Sequence, residues 1–155
     1  MFTKIIYMKK VIYILLILFL ISCSKQQPIK HLAVREPSPL HYIDDLDTKL
    51  YIICSKYEAL HLYDDLKGTL IKEIGINNYY STMQRRMSIV STTKDTGTCQ
   101  FQHRTFYYLA GKYNIKNANI LSESQQIAIM VLAFRDGKQN WWYGYKKYKN
   151  SIEYN

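Results

Sequence analysis

The sequence predicts a small antiparallel β-sandwich over residues 40–155. With 155 residues in all, the chain has room for one ordinary domain and excludes a large multidomain enzyme. Hydrophobic residues make up 48% and charged residues 21%, so the chain folds and is not disordered. Fifteen tyrosines bias it towards pleated, half-buried surfaces. From residue 49 onward, short apolar segments alternate with turn-forming residues, the spacing of a sandwich.

The first element is an export signal. Lys9 and Lys10 precede an unbroken apolar run, Val11 to Ile21, and Met8 offers a second start directly before them. Eleven apolar residues fall short of a bilayer span, which needs roughly 20, so residues 1–22 read as a cleaved signal peptide. The run ends in Leu20-Ile21-Ser22-Cys23, which resembles the bacterial lipobox, and Cys23 is the expected lipidation site and mature N-terminus. Several acyl chains on one cysteine exceed the two-signal requirement for lasting attachment. Ser24 is compatible with sorting to the outer membrane, with the domain facing the periplasm. Loss of Lys4, Lys9 and Lys10 lowers the net charge from +9 to about +6. Nucleic acid is not an expected partner, because an exported chain does not meet it and the remaining charge is scattered.

Residues 23–39 are polar, carry Pro28, Pro37 and Pro39, and read as a tether. The expected strands follow at Lys49 to Cys54, Glu58 to Tyr63, Thr69 to Ile74, Met87 to Thr93, Thr105 to Ala110, Lys112 to Ala118, Gln126 to Arg135 and Trp141 to Tyr148. Asp64 to Gly68, Gly75 to Asn78 and Asp136-Gly137-Lys138 are the expected turns, the last joining the final two strands as a hairpin. Ser81 to Ser91 and Gln125 to Phe134 also fit a helix, since periodicity does not settle a short apolar run.

With Cys23 assigned to lipid, Cys54 and Cys99 remain as an even pair, and a disulfide is the expected reading. Closing that loop would add about 4 kcal/mol. The alternatives are two buried free thiols or a single catalytic thiol. His31, His41, His61 and His103 lack metal-ligand spacing, and neither a metal nor another cofactor is expected. Asp44-Asp45 and Asp64-Asp65 read as solvated charges. No phosphate loop or nucleophile elbow is present in the sequence, and an enzyme is disfavoured.

On a strand, Trp141, Tyr143 and Tyr145 would share one face, and Trp142 the other. One set is expected in the core. The other, beside Lys146 and Lys147 and with Arg85 and Arg86, has the composition of a protein-binding surface.

The lipobox, Arg35-Glu36-Pro37, the segment ending in Cys54, Thr98-Cys99, Tyr107 and Ala110-Gly111-Lys112-Tyr113 together resemble the small type VI secretion immunity periplasmic lipoproteins. The resemblance implies an immunoglobulin-like sandwich that binds and neutralises a toxic effector, with no catalytic residues. The lysine-rich aromatic C-terminus and the Ser81 to Thr93 region depart from that pattern. The competing expectations are a structural lipoprotein of a secretion or conjugation apparatus, and an inhibitor or binder of cell-wall enzymes or glycans.

Overall fold

The computed structural model describes residues 44–153, and they are helical. Seven α-helices follow one another among the described residues: α1 Leu46–Lys56, α2 Tyr63–Ile74, α3 Ile76–Tyr79, α4 Met83–Met87, α5 His103–Lys112, α6 Glu123–Arg135 and α7 Tyr143–Glu153. Short 3₁₀ turns at Leu60–Leu62 and Gln139–Trp141 precede α2 and α7. The expected β-sandwich is not formed: among the described residues, extended pairing is limited to the isolated bridges Val90–Thr96 and Thr96–Phe101. The signal peptide, Cys23 and the whole of the expected tether lie outside the described residues.

Each correction has a local cause. Expected strand Lys49 to Cys54 lies inside α1, where Leu46, Lys49, Leu50, Ile53 and Cys54 are buried, an i, i+3, i+4, i+7, i+8 stripe. Asp45 starts this helix by accepting the Thr48 N–H at 2.8 Å. The segment Glu58 to Tyr63 is a turn entering α2. The expected Asp64 to Gly68 turn and Thr69 to Ile74 strand are both α2, with Asp64 and Asp65 in its first turn, where the helix dipole favours negative charge. Gly75, at φ 82°, ends that helix.

Thr105 to Ala110 belongs to α5, whose inner stripe is Phe106, Leu109 and Ala110. Lys112 to Ala118 leaves α5 as a loop through Asn114, at φ 54°. Met87 to Thr93 is likewise irregular. The helical alternative is the observed one for residues 125–134, and α4 occupies part of Ser81 to Ser91.

Helix α6 is buried on all sides from Gln125 to Phe134, so its sequence has no polar face to reveal a helical period. Asp136-Gly137-Lys138 is its C-cap and not a hairpin. Lys138 N–H donates to Ala133 O and Gly137 N–H to Phe134 O, both at 2.9 Å, with Gly137 at φ 73°, the Schellman arrangement. Helices α1 and α5 pack against α6, while α7 lies against α2. That last contact is close because it uses glycines. A Cβ on Gly68 would meet the Tyr148 ring at 2.3 Å, and one on Gly144 would lie 2.7 Å from the Thr69 carbonyl oxygen.

An ion cluster ties three helices together inside this core. The Glu123 carboxylate at the start of α6 accepts from Lys49 Nζ of α1 and from Arg86 of α4, through Nε at 2.7 Å and a terminal nitrogen at 3.1 Å. Thr98 Oγ1 also donates to it. Arg86 spends its other donors on the carbonyls of Ser81 and Asp44. Burial pushes the Glu123 carboxyl up, but Arg86, Lys49 and Thr98 outweigh it and hold it below the usual range. This corrects one surface expectation: Arg86 is a core residue, while Arg85 stays exposed and reaches Asn78.

Two variants test this packing. Gly144→Ala drives a Cβ into backbone and should cost about 1–3 kcal/mol in chemical denaturation. Glu123→Ala leaves two buried cations unpaired and should cost about 3–5 kcal/mol. Because the native Glu123 pKa is depressed, the carboxylate's contribution is complete above the unfolded value and fades as pH falls through the folded one; Glu123→Ala should flatten the acid limb of the stability curve.

Candidate functional site

The strongest constellation lies where the end of α2, the 89–102 loop and the start of α7 meet. There a cleft of about 310 Å³ is lined by Glu73, Asp95, Gln100, Gln102, Thr105 and the Trp141-Trp142-Tyr143 run, with Phe101 at its base. Two carboxylates and four aromatic side chains share one concavity.

Glu73 occupies the last turn of α2, where the helix dipole opposes a negative charge. Its side chain leaves its own helix and crosses to α7, where Oε1 accepts the Gly144 N–H at 2.6 Å. Burial pushes the carboxyl up. The Gly144 hydrogen bond and Lys147 pull it back, the charge of Asp95 adds to the rise, and the net result is a carboxyl above its ordinary range.

Asp95 is held differently. Its Oδ2 accepts from Ser91 Oγ at 3.0 Å and from Thr93 Oγ1, and its own N–H donates to Ser91 Oγ at 3.0 Å. The loop is closed behind it by reciprocal backbone bonds between Thr96 and Phe101, at 2.9 and 3.2 Å. Thus the Glu73 carboxyl sits in a drier setting that favours its protonated form, while Asp95 is held by the hydroxyls of its own loop.

The expected binding aromatics divide in a way a strand would not produce. Trp141 is 52% and Tyr143 67% exposed at the cleft mouth, whereas Trp142 is buried. Tyr145 packs edge-on against Phe134, with ring centroids 5.5 Å apart. Lys146 is exposed, while Lys138 covers Trp141 at 4.8 Å and Lys147 covers Tyr143 at 4.5 Å. The shared Trp141/Tyr143/Tyr145 face is therefore corrected, and of the expected binding set only Trp141, Trp142 and Tyr143 line the cleft.

Cys54 and Cys99 are both buried free thiols, so the expected disulfide is not formed. Cys54 belongs to the inner stripe of α1. The Cys99 peptide is clamped by other means, its N–H donating to Gln126 Oε1 at 3.0 Å and its carbonyl accepting from Trp142 Nε1 at 2.9 Å. Burial pushes the Cys54 thiol up to about 12, and Cys99 rises well above its ordinary value through burial and the charges of Glu123 and Glu73. Neither is set up as a nucleophile.

The doublets flagged in the sequence are structural. Asp45 caps α1, Asp44 accepts the Met83 N–H, and Asp65 pairs with Lys149 at 2.9 Å. Asp47 accepts from the hydroxyls of Tyr63 and Tyr79 and from Lys67, which together outweigh burial and hold its carboxyl low. No group of three potential metal ligands occurs among the described residues. His31 and His41 lie outside them.

Glu73, Asp95, Gln100, Gln102 and Thr105 were not singled out by sequence. The usable signal was an acidic residue just before Ile74-Gly75, an unfavourable helix-end position, but it becomes visible only if that segment is read as a helix. Protein-family models, curated proteins and solved structures were compared with the chain, and none matches.

A carboxyl raised in the folded state favours folding at low pH and loses that contribution as pH rises through its folded pKa. Glu73→Gln, which retains an acceptor for the Gly144 N–H, should therefore raise the melting temperature at neutral pH and leave it unchanged in acid, as read by calorimetry.

Proposed function

We propose that this protein is a lipid-tethered glycosidase that cuts the glycan strands of the bacterial cell wall. The observation that carries the reading is the pair of carboxyls in one cleft, the raised Glu73 and the hydroxyl-bonded Asp95, with Trp141 and Tyr143 beside them. Glycosidic bonds break through an oxocarbenium-like state served by two such groups. Protonated Glu73 would give its proton to the bridging oxygen as the bond from the anomeric carbon breaks. Asp95 would face the positive charge that develops. Water then adds to the anomeric carbon and its proton returns the site to its starting state.

The rest of the cleft suits a sugar. Aromatic rings offer faces to the apolar side of a pyranose, and Gln100, Gln102 and Thr105 offer donors and acceptors for hydroxyl or acetamido groups. The lipobox supports the choice of polymer, because a domain anchored in the envelope meets cell-wall glycan. This reverses the expectation against an enzyme, which had rested on the lack of a motif in sequence. The immunity reading came with an immunoglobulin-like sandwich, and the helical fold removes that part of its support.

The domain from residue 24 onward should clear a suspension of purified cell wall and release soluble muropeptides detectable by mass spectrometry. Glu73→Gln should reduce the rate by about 10²–10⁴-fold. Activity should fall as pH rises through the elevated Glu73 pKa, since the proton donor is then lost. An inactive wild-type domain that instead forms a stoichiometric complex with an exported toxin and relieves its killing would overturn the proposal in favour of immunity. Recovery of a secretion assembly would favour the structural reading.

A further inference from the structure

We infer that Trp142 is a positioning residue: it fixes the separation of Glu73 and Asp95 by stapling the loop that carries one to the helix that holds the other. The inference rests on the glycosidase reading and adds to it the part that sets the geometry.

Trp142 stands at the one point where the two supports meet. Its indole N–H donates to the Cys99 carbonyl at 2.9 Å in a buried setting, and its ring packs edge-on against Phe101, with centroids 5.4 Å apart at 78°. Phe101 is the residue whose backbone pairs with Thr96, next to Asp95. In the other direction, two residues along the chain, Gly144 presents its N–H to Glu73. Phe134 supports the far side of the indole at 5.4 Å. One side chain therefore holds the Asp95 loop by hydrogen bond and ring contact, and its own backbone leads directly to the donor that orients Glu73.

The indole N–H is the specific element. A buried carbonyl whose donor is lost keeps its desolvation cost, so the Cys99 peptide would turn towards another partner and carry the loop with it. Gln126, which grips the N–H side of the same peptide, limits how far that movement goes. Displacements of the order of 1 Å at such a distance from the reacting atoms are enough to slow catalysis by about 10²-fold.

Trp142→Phe removes the N–H while keeping an aromatic ring, and Phe134→Leu loosens the packing while leaving the N–H in place. Both are tested as full domains on purified cell wall, with rates corrected for the folded fraction measured by circular dichroism. Trp142→Phe should lower kcat by about 10- to 100-fold with KM nearly unchanged, and shift the alkaline limb of the pH profile as Asp95 moves relative to Glu73. Phe134→Leu should lower the melting temperature but leave kcat per folded molecule and the pH limb where they are. An unchanged profile in Trp142→Phe, or the same displacement in both variants, would overturn the inference. A wild-type domain without activity would instead sink the glycosidase reading, so the two failures are distinct.

Discussion

A buried carboxylate between two buried cations organises this fold. Glu123 cannot enter the interior alone, because removing a charge from water costs several kcal/mol even after the protein relaxes. Lys49 and Arg86 are equally unable to do so. Each therefore fixes where the others must be, and the three come from α1, α4 and α6. The hydrophobic surfaces of these helices would tolerate some sliding, since apolar contact is not directional. The bidentate reach of Arg86 to Glu123 is directional and selects one arrangement. Thr98, which donates to the same carboxylate, brings in the segment leading to Cys99 and Phe101. The cleft is thus built outward from an electrostatic anchor on the opposite side of that loop.

The cleft itself depends on the contrast between its two carboxyls. Glu73 ends a helix that disfavours its charge and is met by the beginning of another whose N–H groups welcome it. Asp95 has a loop to itself, with two hydroxyl side chains within four residues. Burial and the neighbouring charge of Asp95 raise the Glu73 carboxyl, and no metal ligand set accompanies the pair among the described residues. The aromatic rings at the mouth add apolar surface beside this polar pair, and the lysines over those rings keep their charges outside.

Much of the composition was legible and much of the fold was not. Gly75 and Gly137 as chain reversals and the apolar character of residues 126–134 were visible. The error lay in the period assigned to them. Helix α6 is buried on every side, so it reads as an apolar run just as a central strand does. In α1 the buried stripe contains Lys49, which looks like a solvent-facing position until Glu123 is known to lie opposite. Tyrosine-rich stretches such as Thr105 to Ala110 favour strands by propensity but follow α-helical burial once packed against α6. Trp141, Trp142 and Tyr143 stood out by composition as candidates for a binding surface. Their division into two exposed rings and one buried staple depends on the helical turn, which a two-residue period cannot reproduce. Glu73 and Asp95 meet only through the tertiary fold.

The hydrogen bond from Gly144 to Glu73 spans 71 residues of chain. A ribosome that has released α2, the Asp95 loop and all of α6 has still not made the group that orients the Glu73 side chain. Glu73 therefore lacks this backbone donor until synthesis has passed residue 144, and the constellation is completed only when α7 docks along α2. The order in which the parts of the cleft can form is in this way set by the order of the sequence itself.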